Sequence, residues 1–328
     1  MVASNAGSRR GSPSAGRRGL LEGRRRFLLQ SSAIGTGLPL LGSLDCRSRG
    51  PRIDTHQHFW SYSAENYPWI DPASVVARDF QPAELAPLLE AAGIDGTLTV
   101  EARSHVEETE ALLEFARATP FIRGVVGWLP LVDAGVGELI QRYAEDPKLR
   151  GLRHAILAEA DPDFMFREDF NRGISLLHRA GRGAGLRFDL LLAPANLGRA
   201  STFVDRHPNQ LFILDHFAKP FIRDGLVEPW ATELRELARR PNVFCKVSGL
   251  VTEADLTRWQ PSDLRPYLDV ALDAFTPDRL MFGSDWPMCL LATSYGGWLG
   301  TVHDWVSELS RHERNRILGE TALEAYGL

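Results

Sequence analysis

From Pro51 onward the chain repeats one unit, a short apolar and β-branched run followed by a longer segment with apolar residues at i, i+3, i+4 spacing. Eight such runs fall at 52–59, 96–102, 124–131, 151–157, 186–192, 211–216, 243–249 and 280–285. Strands that alternate with helices pair in parallel, because each crossover helix returns the chain to the same end of the sheet. Eight units in 51–328 suit a (β/α)8 TIM barrel, which typically takes about 250 residues. The expected fold class is therefore α/β, with this barrel as its architecture. A doubly wound open sheet is the runner-up, but its first strand usually turns into a Gly-rich phosphate loop. Here the first run ends in His-Gln-His-Phe-Trp. G-x-G-x-x-G, Walker, G-x-S-x-G and H-E-x-x-H patterns are all missing from the chain, so no nucleotide cofactor and no serine-hydrolase chemistry are expected.

Residues 1–50 follow a different rule. They hold nine Arg, no Lys and two acids, Glu22 and Asp45, for a charge of +7; this leaves 28 basic against 40 acidic residues, or -12, in 51–328. A body that acidic is a poor match to a polyanion, so no nucleic-acid partner is expected. The first 23 residues are mostly Gly, Ser, Ala and Arg, a composition that predicts disorder. Arg24-Arg25-Arg26-Phe27-Leu28-Leu29 then leads into an uncharged, weakly apolar run ending at Gly42. That is the layout of an export signal, and the arginine pair resembles the twin-arginine signal of bacteria. The domain expectation is a basic leader over 1–50 and a barrel over 51–328, exported to the periplasm, with a cytoplasmic protein bearing a basic tail as the alternative. No later stretch reaches the length of apolar chain needed to span a bilayer, so no stable membrane insertion of the mature protein is expected. Cys245 and Cys289 are expected to be buried free thiols. No feature of the sequence fixes an oligomeric state.

The chemistry-bearing residues close the strands. Asp54, His56 and His58 share parity, so a regular strand would project all three from one face. The sixth run ends in Asp215-His216 and continues to Lys219; the fourth ends near Arg153-His154; the eighth ends in Gly283-Ser284-Asp285-Trp286-Pro287. The C-terminal ends of barrel strands gather at one face, where barrel enzymes keep their sites. Polar groups that repeatedly close apolar strands are costly to bury without a purpose.

Ile-Asp-Thr-His-Gln-His-Phe-Trp, Tyr67-Pro68-Trp69, Gly-Leu-Arg-His, Leu-Asp-His-Phe-Ala-Lys-Pro and Met-Phe-Gly-Ser-Asp-Trp-Pro occur in that order over 51–328. The set resembles the amidohydrolase-related sugar-acid lactonases, of the L-fuconolactonase and L-rhamnonolactonase type. The resemblance implies an amidohydrolase barrel whose His-x-His is His56 and His58, whose later-strand histidine is His216 and whose final-strand acid is Asp285. It places Arg153-His154 where a carbamylated lysine would bridge two metals, so a two-metal site is not expected.

The expected reaction is hydrolysis of a sugar-acid lactone. Asp285 would act as base for water while His56, His58 and His216 polarise the carbonyl, directly or through one divalent ion, zinc or manganese, bound by these four residues. The resemblance allows that metal without requiring it. Arg153, His154, Lys219, Trp60 and Trp286 are the candidate substrate contacts, with the aromatic loop 60–69 either lying over the sugar or plugging the barrel mouth. Two alternatives stand beside this reading. A metal-dependent decarboxylase would use a similar set on the same barrel, and a non-catalytic periplasmic binding protein would bind without turnover.

Overall fold

All eight runs form strands: β1 (Ile53–Gln57), β2 (Gly96–Val100), β3 (Ile122–Gly127), β4 (Leu149–His154), β5 (Arg187–Leu190), β6 (Phe212–Leu214), β7 (Val243–Val247) and β8 (Leu280–Phe282). They pair in parallel in sequence order. One helix follows each strand: α1 (Pro82–Ala92), α2 (Val106–Ala118), α3 (Val136–Ala144), α4 (Glu168–Leu177), α5 (Pro194–Asp205), α6 (Trp230–Ala238), α7 (Pro261–Phe275) and α8 (Tyr295–Val306). Two short helices, α9 (Arg311–Asn315) and α10 (Thr321–Tyr326), end the chain. This computed structural model describes residues 49–328 apart from 182 and 184, and Arg49–Leu328 is one compact unit. The basic leader, with its arginine pair and Cys46, lies outside the described residues. Among the described residues no helix is long and apolar enough to cross a membrane, and Cys245 and Cys289 are buried free thiols.

The helices end where their sequences say they should. Gly93 adopts φ 64° after α1, and its amide donates to the Leu89 and Glu90 carbonyls, closing the helix in the left-handed conformation that glycine takes without a steric penalty. The α2 helix opens with Glu107 and Glu108 and carries Arg117 in its last turn, matching the sign of the helix dipole at each end.

The strands sort side chains by parity. Phe188, Leu190, Phe212, Leu214, Val243, Cys245, Val247, Leu280 and Phe282 pack outward into the layer under the helices. The inward positions split in two along the barrel axis. Toward the N-terminal ends lie Ile53, Leu98, Val126, Ile213, Phe244 and Met281, plugged from below by Ala322, Ala325 and Tyr326 of α10. Toward the C-terminal ends the inward positions are Arg153, Asp189, Asp215 and Lys246, all buried.

The seam between β1 and β8 closes the barrel. The Asp285 amide donates to the His56 carbonyl at 2.7 Å, and the His58 amide to the Trp286 carbonyl at 2.7 Å. One correction to the sequence reading belongs here. Asp54 does not share a face with His56 and His58, because the β1–β2 register shifts between Asp54 and Gln57. The extra residue flips the parity: Ile53 points into the barrel, while Asp54 accepts from the Tyr295 hydroxyl of α8 (3.1 Å) and the Ser284 amide (2.8 Å).

Candidate active site

His56, His58, His216 and Asp285 meet at the C-terminal end of the barrel. Oδ1 of Asp285 lies 3.5 Å from His58 Nε2, 3.9 Å from His56 Nε2 and 4.0 Å from His216 Nε2. His56 is wholly buried, while the other three keep about a twentieth of their surface exposed. Each side chain is aimed by its own fixture. The His58 Nδ1 sits 2.7 Å from the Val100 carbonyl, an acceptor, which puts a proton on Nδ1 and turns Nε2 toward Asp285. His216 Nδ1 lies 2.9 Å from the Ser248 hydroxyl.

The backbone here is strained. His216, Phe217, Ala218 and Lys219 all have φ between 53° and 57°, and Asp285 has φ 56°. Non-glycine residues rarely adopt this region, and when they do the surrounding structure must hold them there, as at active sites. Two glycines make room. A Cβ on Gly283 would lie 2.8 Å from the His56 Cβ, and one on Gly249 would overlap the His216 ring.

Burial and neighbours set the charges. Burial alone would raise the Asp285 carboxyl, but His216, His58 and His56 outweigh it and hold it well below the usual carboxylate range. Burial lowers His216 to about 4. Burial, then the Lys246 ammonium, hold His56 well below the ordinary imidazole value. The centre at neutral pH is thus an ionised Asp285 among histidines of which His56 and His216 are neutral.

Beneath it runs an ion-pair network. Arg153 Nε donates to Glu101 Oε1 at 2.7 Å and Nη1 to Asp215 Oδ2 at 3.1 Å, with Nη1 also 3.2 Å from His56 Nε2. Lys246 Nζ reaches Asp189 at 2.5 Å, Asp215 at 3.0 Å and His56 Nδ1 at 3.1 Å. Two groups of residues bring three potential ligand atoms within 4.8 Å of one another: His56, His58, Asp285 and His56, Asp215, His216. Either could hold one metal ion.

The amidohydrolase family model matches residues 53–328. The chain belongs to the amidohydrolase family. It is 44% identical over 291 residues to the L-fucono-1,5-lactonase of Burkholderia multivorans, covering 84% of this chain and 96% of the relative. It is 36% identical over 284 residues to the L-fucono-1,5-lactonase of Burkholderia ambifaria, covering 84% and 95%. The crystal structure of a Burkholderia multivorans amidohydrolase with bound zinc superposes at a TM-score of 0.80 with 43% identity, over 85% of this chain and 99% of that one.

In this amidohydrolase the four residues named from the strand ends converge, but the candidate substrate contacts divide. Trp60 and Trp286 are buried, at 1% and 2% exposure, and offer no face to a substrate. Trp60 packs edge-to-face against Phe80 and Trp69 and at a tilt against Tyr67, and Trp286 edge-to-face against Phe59 and Phe80. Both rings pack into the mouth of the barrel, since burying an indole stabilises the fold more than leaving it in water. Arg153 is buried too, with its donors engaged by Glu101 and Asp215. His154 and Lys219 remain partly open, paired with Glu159 at 2.5 Å and with Glu253.

Glu101, Asp189, Asp215, Lys246 and Ser248 were missed as partners of the site. The signal was in the sequence: Lys246 is a lone charge inside the apolar run Val243-Phe-Cys-Lys-Val, and Asp189 stands between apolar residues in Arg187-Phe-Asp-Leu. A charge in mid-strand of a barrel must point inward and find partners.

Proposed function

We propose that this amidohydrolase opens a sugar-acid lactone, with L-fucono-1,5-lactone as the reference substrate. The observation that carries the reading is an ionised carboxylate, Asp285, ringed by three imidazoles at the mouth of the barrel, in a chain 44% identical to an L-fucono-1,5-lactonase. Asp285 takes a proton from the attacking water. The imidazoles stabilise the charge that develops on the carbonyl oxygen, and Asp285 returns the proton to the ring oxygen as the ester bond breaks. His154 with Glu159, and Lys219 with Glu253, stand at the strand ends as partners for the sugar hydroxyls.

The donor set fits a divalent ion, zinc or manganese, held by His56, His58, His216 and Asp285. The His58 tautomer offers Nε2 as a ligand. Among the buried inward groups of the described residues, four acids (Glu101, Asp189, Asp215, Asp285) face three cations (Arg153, Arg187, Lys246), a surplus that an ion would offset. When bound, such an ion supplies Lewis-acid polarisation and a more acidic water, which suits a carboxylate held as low as Asp285.

The test is a proton-release assay of the full chain on L-fucono-1,5-lactone, with and without chelator, followed by product analysis. The expected result is stoichiometric release of the aldonic acid. Release of carbon dioxide instead, or binding without turnover, overturns the proposal. We also propose that the leader directs export through the twin-arginine route. With Arg24 and Arg25 changed to Lys, the protein is expected to stay in the cytoplasmic fraction; unchanged distribution removes this reading.

A further inference from the structure

The C-terminal helix reaches the site from the far end of the barrel. Tyr326 lies in the apolar plug, yet its hydroxyl donates upward to Asp189, 2.8 Å from Oδ2 and 3.0 Å from Oδ1. Asp189 in turn holds the Lys246 ammonium at 2.5 Å. That ammonium also lies 3.0 Å from Asp215, 3.1 Å from His56 Nδ1 and 5.6 Å from the centroid of the Tyr326 ring. All of these groups are wholly buried.

Stability does not explain this chain of contacts. Replacing a buried ion pair by packed apolar groups is often neutral or stabilising, and the inward positions next below it on β6 and β7, Ile213 and Phe244, are apolar. What the contacts do is fix where Nζ stands. His56 has a cation against each ring nitrogen, Lys246 at 3.1 Å from Nδ1 and Arg153 Nη1 at 3.2 Å from Nε2, with Asp215 Oδ1 also 3.4 Å from Nδ1. Where the ring sits among them depends on how closely each is held. Arg153 is clamped by Glu101 and Asp215; the corresponding clamp on Lys246 is Asp189, fixed from below by Tyr326.

We propose that Tyr326 is a positioning residue for the active site, acting through Asp189 and Lys246 to fix the ring of His56. Its role as an aid to lactone opening rests on the function proposed above. Its effect on the His56 ring does not.

The test uses the full chain with Tyr326→Phe, which keeps the ring in the plug and removes the hydroxyl. The expected result is a fall of about tenfold in kcat on L-fucono-1,5-lactone, as for other groups that orient a catalytic residue from behind. KM and the thermal midpoint should stay close to wild type. In histidine-labelled protein the ring-nitrogen resonances of His56, identified by their loss in His56→Asn, should shift, while those of His207 stay in place. Unmoved His56 resonances overturn the proposal, as does a kcat that falls only in step with lost stability. The resonance measurement needs no substrate, so it decides the positioning even where wild type fails to open the lactone. Should Tyr326→Phe not accumulate as folded protein, Asp189→Asn carries the same two readouts.

Discussion

The two halves of the barrel interior are built from the same strands to opposite ends. The lower half is an apolar plug in which Ile53, Phe244 and Met281 meet α10. A residue or two further along the same strands, the upper half is an ionic lattice ending in His56, His58, His216 and Asp285. The lower half gains from each methylene it buries. The upper half carries desolvated charges and left-handed backbone that the lower half must hold in place. The hydroxyl of Tyr326 apart, which reaches up from the plug to Asp189, stability and activity should therefore separate along the barrel axis.

The largest effect should come from the top. Asp285→Asn is expected to lower lactone opening by about 10³-fold, within the range for loss of an acid–base group. The unfolding midpoint should change little; a variant that keeps its turnover removes Asp285 from the role of base. At the bottom the opposite split is expected. Met281→Ala should cost about 2–5 kcal/mol of stability in urea unfolding, with kcat of the remaining folded protein near wild type. A specific loss of kcat without loss of stability would show that the two halves do not separate.

Histidines at the two ends sharpen the contrast. Burial lowers both His207, below β6, and His216, above it, to about 4. The unfolded chain binds those protons with a pKa of about 6.5. Between about 4 and 6.5 the unfolded state therefore holds more protons, and each residue's contribution to stability rises with pH through that window. In His207→Gln the gain in urea midpoint from about pH 4.5 to about pH 7 should shrink while kcat is unchanged. A gain of the same size as wild type would remove His207 from the account. The smallest effect belongs to the partly exposed pair of Lys219 and Glu253: Lys219→Met should raise KM on the lactone about threefold, in keeping with the modest worth of such pairs, with no change in kcat. A fall in kcat would place Lys219 at the reacting atoms instead.

The same axis explains what could be read before the structure. Apolar runs and helical spacing were enough for all eight strands and their order, because in a parallel barrel burial on both faces makes strands read as continuous apolar stretches. The strand-closing residues His56, His58, His216 and Asp285 were legible because each interrupts such a run at its end. Asp189 and Lys246 interrupt theirs in the middle and were passed over, although inward parity is what joins them to His56. The parity of Asp54 was misjudged because a one-residue shift of register leaves no mark in composition or spacing. Trp60 and Trp286 are candidates for substrate on chemical type alone, and their packing against Phe80 could not be read from the sequence.

The seam between β1 and β8 joins segments about as far apart as the barrel allows, with Asp54 and Ser284 separated by 230 positions along the chain. Bringing them together closes a long loop, and pairing at that range is intrinsically slow. The base and the histidine pair lie on opposite sides of that seam, so neither a chain still being synthesised nor a barrel that has opened between its first and last strands has a working centre. Competence and completion arrive in one step, and the amide protons of His58 and Asp285, once slow to exchange with solvent, mark both.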